Sequence, residues 1–183
     1  MFEFDRTRID VLRPRLVDEH LLDRTQPMRR VSARLTAEGK EQLDDLVLEA
    51  CSERDEIWLA RSIEPLLLSR VPANTKSGFR KVPANAAATL ADGIWNNLVC
   101  RAECLLGIEL GCSVEAYRAG HRIEPRPASV GLIGRNFVPS LLLDALRCDA
   151  IDPRANRSPV PVGPNSGLSV RALDYQLPEL ERR

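Results

Sequence analysis

The stretch PANAAATLADGIWNNLVCRAECLLG, Pro83 to Gly107, constrains the fold more than any other part of the chain. Its apolar residues recur at the helical step of about 100°. Ala84, Ala87, Ala88, Leu90, Ala91, Ile94, Trp95, Leu98, Val99, Ala102, Leu105 and Leu106 therefore share one broad face, with Asn96, Asn97, Cys100, Glu103 and Cys104 on the other. Pro83 suits a first helical position, where its missing N–H would be an orphan anyway, and Gly107 can take the left-handed conformation that ends a helix. The alanines of the first half admit a closely packed neighbour. The expectation is a long central helix around which the rest is arranged.

The other 158 residues have enough apolar content to surround such a helix, since the 183-residue chain is 44% hydrophobic. Length and composition suit a single domain over 1–183. Within it, 1–70 reads as N-terminal helices, 71–82 as a basic loop and 83–148 as the central helix, a strand and a further helix. A proline-rich excursion follows over 149–166, then a strand and tail over 167–183. Charge is balanced, 26 basic against 26 acidic residues, which excludes coating of an anionic polymer or membrane by net charge alone. No apolar run approaches the roughly 20 residues of a membrane span, and MFEFDRTRID lacks the apolar core of a secretory signal. The five cysteines follow no disulfide framework. These features predict a cytoplasmic protein, and the scarcity of lysine relative to arginine is the usage of a GC-rich bacterial genome.

Taken in order, Asp5 or Thr7 caps a helix over 5–24 that places Ile9, Leu12, Leu16 and Leu21 on one side, with Pro14 expected to kink or restart it. Thr25 to Leu35 is a connector with a short strand at its end. Thr36 is a good N-cap, followed by Leu43, Leu46, Val47 and Ala50 at helical spacing. A further helix starts at Ser52, with Asp55 three residues on, and buries Ile57, Ala60 and Ile63 up to Pro65. Thr36 to Glu64 holds nine acidic and three basic residues, read as a solvated face. Ser113 to Ala119 and Gly167 to Leu173 alternate like strands and can pair with each other. Val138 to Cys148 is helical, with Leu141, Leu142, Ala145 and Leu146 to bury. The fold class is α+β, mainly α: helices around a central long helix with a small antiparallel sheet.

Three chemistries have candidates. Cys100, Cys104, Cys112 and His121 carry zinc-ligating atoms, but the spacing lacks the two-residue knuckle of the strong zinc signatures, so packed thiols are the preferred reading and no metal or cofactor is assigned. Nucleophilic catalysis would need a cysteine with His121 or His20, the latter read as a surface or boundary residue, and no local motif supports it. Phosphate recognition is better supported. Arg70, Lys76, Arg80 and Lys81 occur without an acid between Ser69 and Lys81, and Arg118, Arg122, Arg126 and Arg135 stand against only Glu124. Arginine presents a planar fork of donors suited to phosphate, and Phe79 can stack on a base. The functional expectation is an accessory protein that binds nucleic-acid phosphate through these basic loops. The alternatives are a protein–protein scaffold or small regulatory subunit whose arginines meet an acidic partner, and an enzyme using the Cys/His cluster.

Overall fold

The computed structural model describes residues 4–26, 31–72, 78–120, 127–152, 155–163 and 167–173. The fold is mainly helical α+β, with a long helix, α4 (Ala86–Leu110), at its centre. Helices α1 (Arg6–Arg24), α3 (Glu56–Ile63) and α6 (Pro139–Ile151) pack directly against α4, as does strand β5 (Leu168–Ala172). Helix α2 (Ala37–Ser52) packs on α1 and α3. Two antiparallel sheets complete it. One pairs β1 (Arg70–Pro72) with β2 (Phe79–Lys81); the other has the order β4 (Asn136–Phe137), β3 (Val114–Arg118), β5, with the four-residue helix α5 (Pro127–Val130) between β3 and β4. The expected pairing of the strands near 113–119 and 167–173 is present, with Val114 opposite Ala172 and Arg118 opposite Leu168.

Local chemistry explains the helix starts. The Asp5 carboxylate accepts from Thr7 N–H, Thr36 Oγ1 from Gly39 N–H and Asp55 from Trp58 N–H, each satisfying a donor that the first turn leaves open. Asp55 is thus the cap of α3 itself. Ser52 belongs to the last turn of α2, where its hydroxyl bonds back to the Leu48 carbonyl at 2.9 Å. Pro14 does not interrupt α1; it lies on the exposed side of the helix, as does Asp10, the residue four earlier whose carbonyl a proline cannot pair. The stripe Ile9, Leu12, Leu16 is buried as expected, but Leu21 is exposed. The inward positions three and four residues beyond Leu16 are Glu19 and His20, both buried; His20 is therefore an interior residue, donating from Nε2 to the Asp44 carbonyl at 2.8 Å. In α6 the inward leucines are Leu142, Leu143 and Leu146, whereas Leu141 points outward. The strand expected before Thr36 reduces to one bridge, Leu35 to Leu67.

The bounds of the central helix move by one turn at its far end. Asn85 is the N-cap, and Pro83 lies in a turn ahead of it. Gly107 is inside the helix, where an added Cβ would come within 3.0 Å of Pro139 and 3.2 Å of Val114, so glycine here permits close approach of α6 and β3. The terminator is Gly111, at φ +66°.

The polar side expected for α4 does not face solvent. Asn96, Cys100, Arg101, Glu103 and Cys104 are all buried, and they bind the surrounding elements to the helix. Asn96 Nδ2 donates to the carbonyls of Val162 and Leu168, both at 2.8 Å. Cys100 Sγ lies 3.4 Å from Ser169 Oγ. Arg101 holds both oxygens of Asp23 at 2.7 Å and approaches Glu19 at 3.3 Å, while Arg147 of α6 forks onto the same Glu19. Glu103 accepts from the Arg8 guanidinium and, at 2.8 Å, from Ala172 N–H. The segment over 155–163 is irregular, but it is more than a surface excursion. Val160 and Val162 are buried, and the Asp149 carboxylate fixes it by accepting from the N–H groups of Arg157 and Ser158 at 2.7 and 2.9 Å.

Among the described residues no helix is long and apolar enough to cross a membrane.

Candidate nucleic-acid interface

The basic stretch expected as a loop over 71–82 contains a two-stranded ribbon. Arg70 stands opposite Lys81, Val71 opposite Arg80 and Pro72 opposite Phe79. Residues that face each other across an antiparallel pair point to the same side, and side chains alternate along each strand. One face therefore carries Arg70, Pro72, Phe79 and Lys81, and the other carries Val71 and Arg80. Val71 is buried and packs with Val82, Ala86, Leu67 and Leu68, which turns its face toward the body of the protein. The opposite face is outward. All four of its residues are exposed, Phe79 at 70% of its surface. Arg80 is exposed as well, its long side chain reaching past the apolar contact made by Val71.

The electrostatics of this ribbon differ from those of much of the fold. Several arginines elsewhere find carboxylates, Arg13 with Asp10, Arg15 with Glu109, Arg54 with Glu49 and Arg171 with Glu115, although Arg34 and Arg118 find none among the described residues. The side chains of Arg70, Arg80 and Lys81 make no hydrogen bond or ion pair with any described residue. The acidic Thr36 to Glu64 region thus does not neutralise them. Like charges directly opposite one another in a sheet are destabilising, so the Arg70–Lys81 pair works against hairpin stability in the free protein. An anion placed between them removes that repulsion. A flat aromatic surface two residues from Lys81 on the same face adds a stacking platform.

The second basic segment lies in the other sheet. Arg118 ends β3 half-buried, and its two terminal guanidinium nitrogens are buried with no hydrogen-bond partner. Arg135 is exposed just before β4, its carbonyl accepting from Ala116 N–H at 2.9 Å. No described hydrogen bond or ion pair joins either arginine to the hairpin. Lys76, Arg122 and Arg126 lie outside the described residues. Pro72 was not singled out from sequence; only the register shows it across from Phe79.

Of the zinc candidates, His121 lies outside the described residues. Cys100 and Cys104 are buried, and burial pushes the Cys100 thiol up to about 12 and raises Cys104 as well. Both are neutral thiols near neutral pH, and Cys100 Sγ lies 3.4 Å from Ser169 Oγ. Cys112 is half-buried beyond the end of α4, and among the described residues no group of three or more His, Cys, Asp or Glu is arranged to hold a metal ion. His20, the other histidine considered as a catalytic base, is held in the interior between α1 and α2.

No protein-family model matches the chain, and neither a curated protein nor a solved structure is detectably similar to it.

Proposed function

We propose that this is a cytosolic accessory protein that binds single-stranded nucleic acid through the outward face of the β1–β2 ribbon. Arg70 and Lys81 contact successive phosphates, and Phe79 stacks on a base. The observation that carries the reading is the placement of Arg70 directly opposite Lys81, both without an internal acid, on the face that exposes Phe79. Phosphate supplies the missing counter-charge, and stacking on one aromatic ring is sequence-tolerant because every base has a π-face. Arg80, on the other face, extends the positive field along the strand.

The test is the salt dependence of binding to an oligothymidylate. Two phosphate contacts give a slope of log K against log salt of about −1.4, at roughly 0.7 per contact on a single strand. Replacing Arg70 and Lys81 together by Ala is expected to flatten the slope by about 1.4. Absence of binding at low salt, where this attraction is greatest, overturns the reading.

A scaffold function has one specific observation in its favour. Ile108 and Leu110 at the end of α4, and Val138 and Leu141 at the start of α6, are exposed where Gly107 brings those helices together at Pro139. That reading predicts loss of a protein partner in Leu141→Lys with oligonucleotide binding unchanged.

A further inference from the structure

A cleft of about 600 Å³ opens beside Leu98 and Ile94, between the 31–34 segment, the first half of α4 and the 155–163 segment. Its floor is apolar: Leu90, Ile94, Leu98 and, from the far wall, Val160 and Val162 line it. A volume of this size with an apolar floor and polar side chains around it suits a small molecule that has both an apolar and a polar part. The charged groups around it are not equivalent. Asp23 is neutralised by the two-pronged bond from Arg101, and both oxygens of Asp149 are occupied by the Arg157 and Ser158 N–H groups. Arg34 also lines the cleft. Its backbone is fixed, the carbonyl accepting from Leu68 N–H at 2.8 Å and the N–H donating to Ser32 Oγ at 3.3 Å, but its guanidinium makes no hydrogen bond or ion pair with any described residue. Asn97, half-buried on the same wall of α4 as Ile94, likewise has an amide with no described partner.

We infer that this cleft binds a small amphipathic acid, whose anionic head group is held by Arg34 and whose apolar body lies along Leu90, Ile94, Leu98 and Val160. Asp149 keeps its negative charge, because the two N–H groups that hold it are neutral, and it borders the cleft beside the 155–163 segment; Arg34 is the cation of the described lining whose charge has no partner, and a planar guanidinium suits a carboxylate or another oxyanion in a two-pronged bond. The apolar floor selects against a small hydrophilic anion such as inorganic phosphate, because only an apolar body removes that surface from water. The site is independent of the ribbon: neither Arg34 nor the floor residues belong to β1 or β2.

Decanoate serves as the probe, with decanol and decyltrimethylammonium of the same chain length as controls, on the full chain by titration calorimetry. Decanoate is expected to bind saturably at one site per chain and more tightly than decanol, with decyltrimethylammonium weakest. Arg34→Gln should weaken decanoate about tenfold, the loss of one charge-assisted hydrogen-bonded contact, and leave decanol unchanged. Thr89→Trp, which fills the cleft from the half-buried wall of α4, should weaken decanoate and decanol alike, with the far-ultraviolet spectrum reporting that the fold is kept. Three results overturn the inference: no saturable binding of decanoate below its micelle-forming concentration, equal affinity of decanoate for the native chain and Arg34→Gln, or retention of decanoate by folded Thr89→Trp. Should Thr89→Trp fail to fold, the comparison of decanoate with decanol in Arg34→Gln decides alone.

Discussion

The charges on the central helix and those on the β1–β2 ribbon are treated in opposite ways. On α4, Arg101 is fully buried between Asp23 and Glu19, and Glu103 between Arg8 and the Ala172 N–H, so each charge is matched before the chain leaves water. On the ribbon, Arg70 and Lys81 face each other with no acid at hand. Burial explains the first arrangement, because an unpaired ion in the interior costs several kcal/mol. It cannot explain the second, since exposed side chains are free to be of any kind. A cross-strand cation pair at the surface is a small stability loss that folding does not require. The interior charges belong to the architecture, and the ribbon charges are available to a ligand.

The comparison breaks most readily at Arg101. Arg101→Ala leaves Asp23 and Glu19 short of a partner in the interior, and the expected loss is about 3 to 5 kcal/mol in urea unfolding. Glu19 keeps Arg147, which sets the loss toward the lower end. A change below about 0.5 kcal/mol would mean that the network is solvated and that the contrast with the ribbon is false.

Interior thiols extend the same contrast to pH. Burial pushes Cys51 and Cys100 up to about 12, while the same groups in the unfolded chain ionise near the ordinary thiol value of 9.0. The folded state therefore keeps its protons where the unfolded chain has lost them. Stability is full below about pH 9 and falls as pH rises from there toward 12. At pH 10 each thiol is expected to remove roughly 1 to 2 kcal/mol. Urea midpoints measured from pH 7 to 10 check this, and the alkaline fall should be shallower in Cys51→Ala than in the native chain.

The parts of this fold that were legible in the sequence are those decided within a few residues. The Thr36 cap, the Ile9–Leu12–Leu16 stripe and the alternation of the strands near 113–119 and 167–173 are local, and the structure keeps all of them. The two-sided burial of α4 was not legible. Whether Asn96 faces water or the carbonyls of Val162 and Leu168 depends on segments far along the chain, and a helical wheel contains no such information. Gly107 shows the same limit, since a glycine chosen for the approach of Pro139 reads like one chosen to end a helix. At the candidate site, the basic residues of the ribbon were legible by composition. Their register was not, because the turn-forming residues between Pro72 and Phe79 disguise two short strands as loop, and the pairing of Arg70 with Lys81 follows only from that register.

Phe79 tests the ribbon without touching its charge. With 70% of its surface exposed, it contributes little to packing, so Phe79→Ala should leave the urea midpoint within about 0.5 kcal/mol of the native chain. If a base stacks on the ring, the same substitution weakens single-stranded oligonucleotide by about 1 to 3 kcal/mol, and duplex by less. Fluorescence anisotropy on matched single-stranded and duplex probes gives both numbers. An equal loss on the two would show that Phe79 acts by holding the ribbon in shape instead of by stacking.

The smallest effect is the sharpest, because it has opposite signs for folding and binding. Lys81→Glu turns a repelling cross-strand pair with Arg70 into an attracting one, and opposite charges at such a position are worth roughly 0.2 to 1 kcal/mol. The variant should be slightly more stable than the native chain in urea. It should also bind oligothymidylate more weakly and with a flatter salt slope, since one phosphate contact has gone and a carboxylate now occupies part of the site. A residue whose charge serves the fold loses stability when reversed; one whose charge serves a ligand gains stability and loses affinity. If Lys81→Glu is destabilising, the cation has an internal partner in solution and the ribbon belongs with α4 after all. If stability rises while affinity stays constant, the nucleic acid is held elsewhere on the protein. Only the combination of gain and loss fits a hairpin whose charges are left open for phosphate.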